Sequence, residues 1–320
     1  MVNGSRKPIE VVLDGLRQNG EGLDQALLCY LSSLNVEEAE RVGHVWPDLP
    51  TALRLELTSR LVKMAEADFT LSFGAVFRIA MRDEDPEVRT VAIEGLWEDE
   101  DVRLVPLLVQ RLAEDDSVRV RAAAAQSLGR FILLGELGKI RPKPRTMAYT
   151  ALLQALQAQD EHTQVRRRAL ESLAYVCNET VIASIREAYG SRSEKFRISA
   201  VFAMGRSADT RWDQEVQQEL FSTNPEMRYE AARACGELQL SEAVGMLEEL
   251  TEDTDAEVQQ TAIWALGQVG GERAREILEY YCHVGDEALR SAAEDALDEF
   301  EFLHGDLEDL FADVIEEPYW

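Results

Sequence analysis

Apolar residues recur along most of this chain in one nine-position arrangement. The copies read VRTVAIEGL from Val88, VRAAAAQSL from Val120, VRRRALESL from Val165, FRISAVFAM from Phe196, MRYEAARAC from Met227, VQQTAIWAL from Val258 and LRSAAEDAL from Leu289. Successive starts lie 32, 45, 31, 31, 31 and 31 residues apart. The apolar residues concentrate at positions one, five, six and nine, which at about 100° per residue share one face of a helix. Position five is always alanine: Ala92, Ala124, Ala169, Ala200, Ala231, Ala262 and Ala293. A lone methyl there lets neighbouring helices come close.

Such a period marks duplication, and modules that each pack only on their neighbours are what duplication builds. Most copies are preceded by a turn of helix-starting residues, as in Asp85-Pro86, Asp115-Asp116, Asn224-Pro225 and Asp253-Thr254-Asp255. Their side-chain oxygens can accept the unpaired N–H groups of a first helical turn. Ahead of these turns lie further apolar-periodic stretches, at residues 102–113, 181–189, 243–250 and 273–281. Each repeat is therefore expected to be a helical hairpin, and the chain an all-α, right-handed α-solenoid with about seven full repeats over residues 66–300. In residues 1–65, Leu53, Leu57 and Leu61 echo the spacing without a Val-Arg pair, which fits a degenerate N-terminal cap of two hairpins. Residues 301–320 form a separate acidic tail. The one long spacing predicts an inserted loop at 135–147, which Pro142 and Pro144 are expected to hold extended.

The pattern resembles the HEAT-repeat family, in the short bacterial form also found in phycobilin lyases. The likeness is carried by the turn aspartate, as at Asp85, by the Val88-Arg89 pair, and by an Ala-x-x-Ala-Leu-Gly ending at residues 262–267. Residues 124–129 repeat that ending with Ser127 in place of the second alanine. It implies that the second helix of each hairpin lines the concave face, and that turn aspartates and signature arginines form a ladder between repeats. Gln259 replaces the arginine in the sixth copy, so the ladder is expected to weaken there.

Charge narrows the partners. Thirty-three basic against sixty acidic residues leave a net charge of -27, which disfavours nucleic acid and anionic membrane and favours protein partners of basic character. No apolar run approaches the roughly 20 residues of a membrane span. Residues 1–16 carry Arg6, Lys7, Glu10 and Asp14 and lack the apolar core of a secretory signal, so the expected location is cytoplasmic. Cys29, Cys177, Cys235 and Cys282 are far apart, form no CxxC pair and sit in apolar-periodic segments, as reduced core residues would.

Catalytic patterns are missing from the sequence. His44, His162, His283 and His304 are widely separated and none belongs to an HExxH pair. Iron-holding enzymes of the resembled family use repeated His-Glu dipeptides, and none occurs here. There is no P-loop, GxSxG elbow or dinucleotide fingerprint. Asp83, Asp85 and Glu87 alternate like calcium-loop ligands but lack the central glycine and closing glutamate, which leaves them as helix caps. No catalytic residue, cofactor or metal is expected, and the chain reads as a non-enzyme.

Three surfaces are candidates for binding. Positions three and seven should point away from the buried face, and in the fourth to sixth copies they hold Ile198, Phe202, Tyr229, Arg233, Gln260 and Trp264. Ile198, Phe202, Tyr229, Arg233 and Trp264 form the candidate concave contact patch, since aromatics and arginine dominate interface hot spots. The sequence is equally compatible with packing of these rings on adjacent helices. The second candidate is the insertion, where Lys139, Arg141, Lys143 and Arg145 stand without an acid between residues 137 and 147, followed later by Arg166, Arg167 and Arg168. It could grip phosphate or an acidic peptide, or be an ordinary solvated loop. The third is the tail: residues 294–317 hold eleven acids and no lysine or arginine, and Leu307, Leu310, Phe311, Val314 and Ile315 fall on one helical stripe. It would either cap the last repeat or dock in a groove.

The expected function is a non-catalytic scaffold or adaptor that holds a protein or peptide on the concave face. Two alternatives stay open. The resemblance implies a phycobilin-lyase-like or chaperone-like subunit handling a tetrapyrrole or its acceptor protein, and the basic insertion allows a nucleic-acid or phosphate binder.

Overall fold

A computed structural model describes residues 8–18 and 24–304, within which every regular element is helical. The chain divides into two compact units, Met1–Ser172 and Leu173–Trp320. The first holds α1 (Pro8–Arg17), α2 (Gln25–Leu28), α3 (Val36–Val45), α4 (Thr51–Ala67), α5 (Gly74–Ala80), α6 (Pro86–Glu94), α7 (Leu104–Glu114), α8 (Val118–Glu136), α9 (Pro142–Gln157) and nearly all of α10 (Thr163–Leu173). The second holds α11 (Glu179–Tyr189), α12 (Glu194–Arg206), α13 (Asp213–Glu219), α14 (Pro225–Glu237), α15 (Val244–Leu250), α16 (Ala256–Val269), α17 (Glu272–Tyr281) and α18 (Glu287–His304). The even-numbered helices from α6 onward carry the nine-position signature. Each unit is an all-α solenoid segment of stacked hairpins, in which α6 packs on α4 and α8, and α14 on α12 and α16.

The periodicity predicts the core residue by residue. In the first six copies every residue at positions one, five, six and nine is buried, from Val88, Ala92, Ile93 and Leu96 to Val258, Ala262, Ile263 and Leu266. The last copy departs: Leu289 and Ala293 are buried, but Glu294 at position six is exposed. No further signature helix follows α18 among the described residues, and a polar residue suits a face left without such a neighbour.

A second register sets helix spacing. Glycine occupies position ten in four copies, and each glycine faces the position-eight residue of the next signature helix. A methyl built on Gly205 would lie 2.8 Å from the Ala234 Cα, one on Gly236 3.0 Å from the Ala265 Cα, and one on Gly267 2.7 Å from the Ala296 carbonyl oxygen. In the first unit, a methyl on Gly129 would stand 2.8 Å from the Ser172 hydroxyl, which itself donates to the Ala125 carbonyl at 2.9 Å. The Ala-Leu-Gly ending is thus a contact between backbones.

The turns carry the ladder. Arg89 forks onto Asp115 with bonds of 2.8 and 2.7 Å, and its remaining nitrogen donates to the Asp83 and Glu84 carbonyls. Arg228 repeats this on Asp253 at 2.6 and 2.7 Å and on the Ser222 carbonyl at 2.8 Å. Arg121 forks onto Glu161 instead of an aspartate, at 3.0 and 2.8 Å. In the Asp-x-Asp turns the two carboxylates divide the work: Asp253 faces the arginine, while Asp255 caps α16 by accepting from the Glu257 and Val258 N–H groups. Asp83 and Asp85 divide in the same way, with Asp85 capping α6. Gln259 keeps only the local half, donating to the Asp253 carbonyl at 2.7 Å, because Val284 occupies the place of the next turn acid.

Three expectations need correction. The inserted residues do not make an extended loop. They lengthen two helices: α8 runs to Glu136 and α9 starts at Pro142. Proline in a first turn gives up only an N–H that has no helical partner, so Pro142 and Pro144 start a helix instead of preventing one. Second, the degenerate cap contains a true rung: buried Arg54 on α4 reaches Asp83 at 3.2 Å and Glu84 at 2.6 Å, and Trp46 donates its indole N–H to Asp83. Leu53-Arg54 does the work of the Val-Arg pair. Third, of the four cysteines only Cys235 is buried, and Cys177 is exposed. Burial, helped by Asp213, pushes the Cys235 thiol up to about 12. The last described helix, α18, runs to His304, and the expected tail stripe of Leu307, Leu310, Phe311, Val314 and Ile315 lies outside the described residues.

Candidate functional site

The second unit has an open cleft of about 530 Å³ over α14 and α16. Tyr229 and Trp264 line it together with Arg206, Arg233, Glu237, Glu257, Gln260 and Thr261. The register explains the grouping. Tyr229 and Gln260 are both at position three, and Arg233 and Trp264 are both at position seven, so successive helices set like positions side by side.

The five residues of the candidate patch separate into three environments. Tyr229, Arg233 and Trp264 line the cleft. Phe202 is half-buried beneath the Arg233 guanidinium, which lies 4.2 Å from the ring centroid, a cation–π contact. Ile198 is only 2% exposed and offers no contact surface. In the copies followed by another signature helix, a small or aliphatic side chain at position three is buried, as at Thr90 and Ala122. Only a longer side chain such as Tyr229 reaches the cleft.

A charge chain stiffens the cleft. Arg233, whose side chain is 11% exposed, donates to Glu230 at 2.8 Å and to Glu237 at 2.5 Å, and Arg206 meets Glu237 at 3.2 Å. Burial raises the Glu237 carboxyl above the usual glutamate range, while Arg233 and Arg206 pull it back. Glu237 thus sits between two cations, and both lie over the Phe202 ring, Arg233 at 4.2 Å and Arg206 at 5.7 Å. The Trp264 ring is braced from behind, because a methyl on Gly236 would come within 2.8 Å of it. Preorganised aromatic and guanidinium groups of this kind suit recognition, since little rotamer freedom remains to be lost on binding.

Arg206 and Glu237 were not anticipated from the sequence. They stand at position eleven, one residue past the glycine and 31 apart; reading the register two places further would have found them.

The basic insertion is also redistributed. Lys139 in the turn before α9, Arg141 at its N-cap and Lys143 in its first turn are all exposed. Arg145 folds back on Glu136. Arg166 donates to the Leu156 carbonyl at 2.9 Å and Arg168 meets Glu171 at 2.7 Å, both on α10, where Arg167 is half-buried between them. Among the described residues no group of histidine, cysteine and acidic side chains is placed to hold a metal, and no helix is long and apolar enough to cross a membrane.

Comparison with known proteins agrees with the repeat register. The family model described as HEAT repeats matches residues 75–141, 149–220 and 214–298. No curated protein matches the chain. Among solved structures, the complex of CpcE and CpcF of phycocyanin lyase from Nostoc sp. PCC7120 is similar at 19% identity, covering 71% of this chain and 94% of that one, with a TM-score of 0.47. Kap95p, solved with RanGDP, is similar at 14% identity over 96% of this chain and 47% of that one, TM-score 0.48. Human deoxyhypusine hydroxylase is similar at 19% identity over 83% of this chain and 96% of its own, TM-score 0.38. With the family matches spanning most of residues 75–298 and the buried positions and most ladder rungs following the same period, the chain belongs to the HEAT-repeat family.

Proposed function

We propose that this protein is a non-catalytic scaffold that holds a protein or peptide segment in the cleft over α14 and α16. The observation that carries the reading is the cleft itself: Tyr229 and Trp264 frame Arg233, which Phe202 and Glu237 hold in place. Tyrosine, tryptophan and arginine are the residue types that most often supply interface binding energy. The net charge of -27 would draw a basic partner toward the surface over long range, so association should slow as salt rises.

Affinity capture with wild-type bait beside a Tyr229→Ala, Trp264→Ala bait tests the proposal. Truncating one such anchor costs about 2 kcal/mol, roughly 30-fold in affinity, so specific partners should disappear from the variant while its urea midpoint stays near that of wild type. An identical set of partners on both baits would remove the cleft from the binding surface.

A further inference from the structure

In a chain of net charge -27, Lys139, Arg141 and Lys143 are exposed cations within five residues, and none has an acidic partner among the described residues. Most other arginines are paired, including Arg145 of the same segment. Their position makes the lack of partners costlier. Arg141 is the N-cap residue of α9 and offers no capping bond, Lys143 follows within the first turn, and that turn contains no acid. Cations there oppose the positive end of the helix dipole, where a carboxylate would be favoured.

The same helix start opens onto an apolar groove. Between α7 and α9, Val109, Pro142, Thr146, Met147 and Ala151 line a depression of about 580 Å³, with Lys143 at its rim. Met147 is 39% exposed and Leu137, in the turn before α9, is 59% exposed. A cationic rim beside an apolar trough defines a specific partner chemistry: carboxylates for the rim and aliphatic side chains for the trough.

We infer that the α7–α9 groove docks an acidic amphipathic helix of a partner protein, its carboxylates on Lys139, Arg141 and Lys143 and its apolar anchors on Val109 and Met147. An arriving carboxylate serves twice there, as counter-ion and as the missing acid of the α9 first turn. The trough argues against nucleic acid, which brings phosphates for the cationic rim but no aliphatic anchors for the groove. This site is independent of the α14–α16 cleft.

The full-length chain is titrated into a fluorescein-labelled synthetic peptide of about 16 residues, rich in glutamate and carrying leucines at i, i+3, i+4 and i+7. Polarisation is expected to report binding that weakens at least about 10-fold in the Lys139→Glu, Arg141→Glu, Lys143→Glu variant and at least about 5-fold in Met147→Asp. These side chains are exposed, so an unchanged urea midpoint will confirm that both variants fold. Absence of wild-type binding, or binding that survives the triple reversal, overturns the inference. Loss in the triple reversal with full retention in Met147→Asp also overturns it, since the trough then contributes nothing. Tighter binding of a single-stranded oligonucleotide of equal length, insensitive to Met147→Asp, would assign the cations to phosphate instead. Self-association abolished by the triple reversal would assign the groove to a second copy of this chain.

Discussion

Replacing Asp115 with alanine is expected to lower the free energy of unfolding by about 3–5 kcal/mol, the usual range when one partner of a buried ion pair is removed. The Asp115 side chain is 1% exposed and sits where α7 ends and the turn to α8 begins. It accepts a two-pronged bond from Arg89, a third contact from Arg111 at 3.2 Å and the Ser117 N–H at 3.0 Å. Without it, Arg89 keeps its two carbonyl acceptors but loses its counter-charge in a site with little water. Urea denaturation of the variant should show a lowered midpoint, and a change under about 1 kcal/mol would mean that the rung is replaceable by solvent. Arg103→Ala provides the contrast. The Arg103 side chain is 87% exposed in its pair with Asp101, which keeps Arg78 as a second partner, so its loss should cost less than about 1 kcal/mol.

The same rungs set an acid limit. Burial alone would raise the Asp115 carboxyl, but the Arg89 bonds and the Ser117 N–H outweigh it and hold the group below the usual range. The Arg228 bond does the same for Asp253, against a smaller burial effect. A carboxyl depressed in the folded state adds stability above its unfolded value, and that stability is lost as pH falls through the folded value. Stability should therefore decline on acidification below about pH 4, more steeply in wild type than in Asp253→Asn. Equal slopes would show that these carboxylates do not govern acid unfolding.

Gly205→Val is expected to destabilise by about 3 kcal/mol through overpacking. The obstacle at 2.8 Å is the Ala234 Cα, and backbone cannot rotate away as a side-chain terminus can. α12 and α14 must separate, which also loosens the buried faces that Ala200, Val201, Ala231 and Ala232 share. Gly190→Ala is the control. A methyl there meets nothing closer than 3.6 Å, and the residue's φ of -74° suits alanine, so stability should hold or rise by up to about 1 kcal/mol. If the two substitutions behave alike, close approach at position ten is not what spaces the helices.

Much of this architecture was legible before any coordinates. Helical periodicity is local, so positions one, five, six and nine could be assigned to the core, and Asp85, Asn224 and Asp255 could be named as caps, from side-chain chemistry within a few residues. The resemblance to HEAT repeats, carried by the turn aspartates and Val-Arg pairs, implied the ladder, and Gln259 marked its gap. Features that depend on a neighbour about thirty residues away were harder to read. Arg54 was hidden because its acid lies in the next turn, and Phe202 could not be placed beneath Arg233 without knowing how α12 and α14 align.

By itself, then, the sequence determined the repeat, the hairpins and the buried stripe, because each follows from contacts within one module or from a strict period between modules. Only tertiary structure decided which residues of the outward positions remain reachable, burying Ile198 while leaving Tyr229 and Trp264 on a cleft, and absorbed most of the presumed loop into the ends of α8 and α9, with Lys139 in the short turn between them. Exposure is a property of the gap between adjacent helices, and that gap is set by side-chain volumes and backbone approach across the stack, which no single repeat contains.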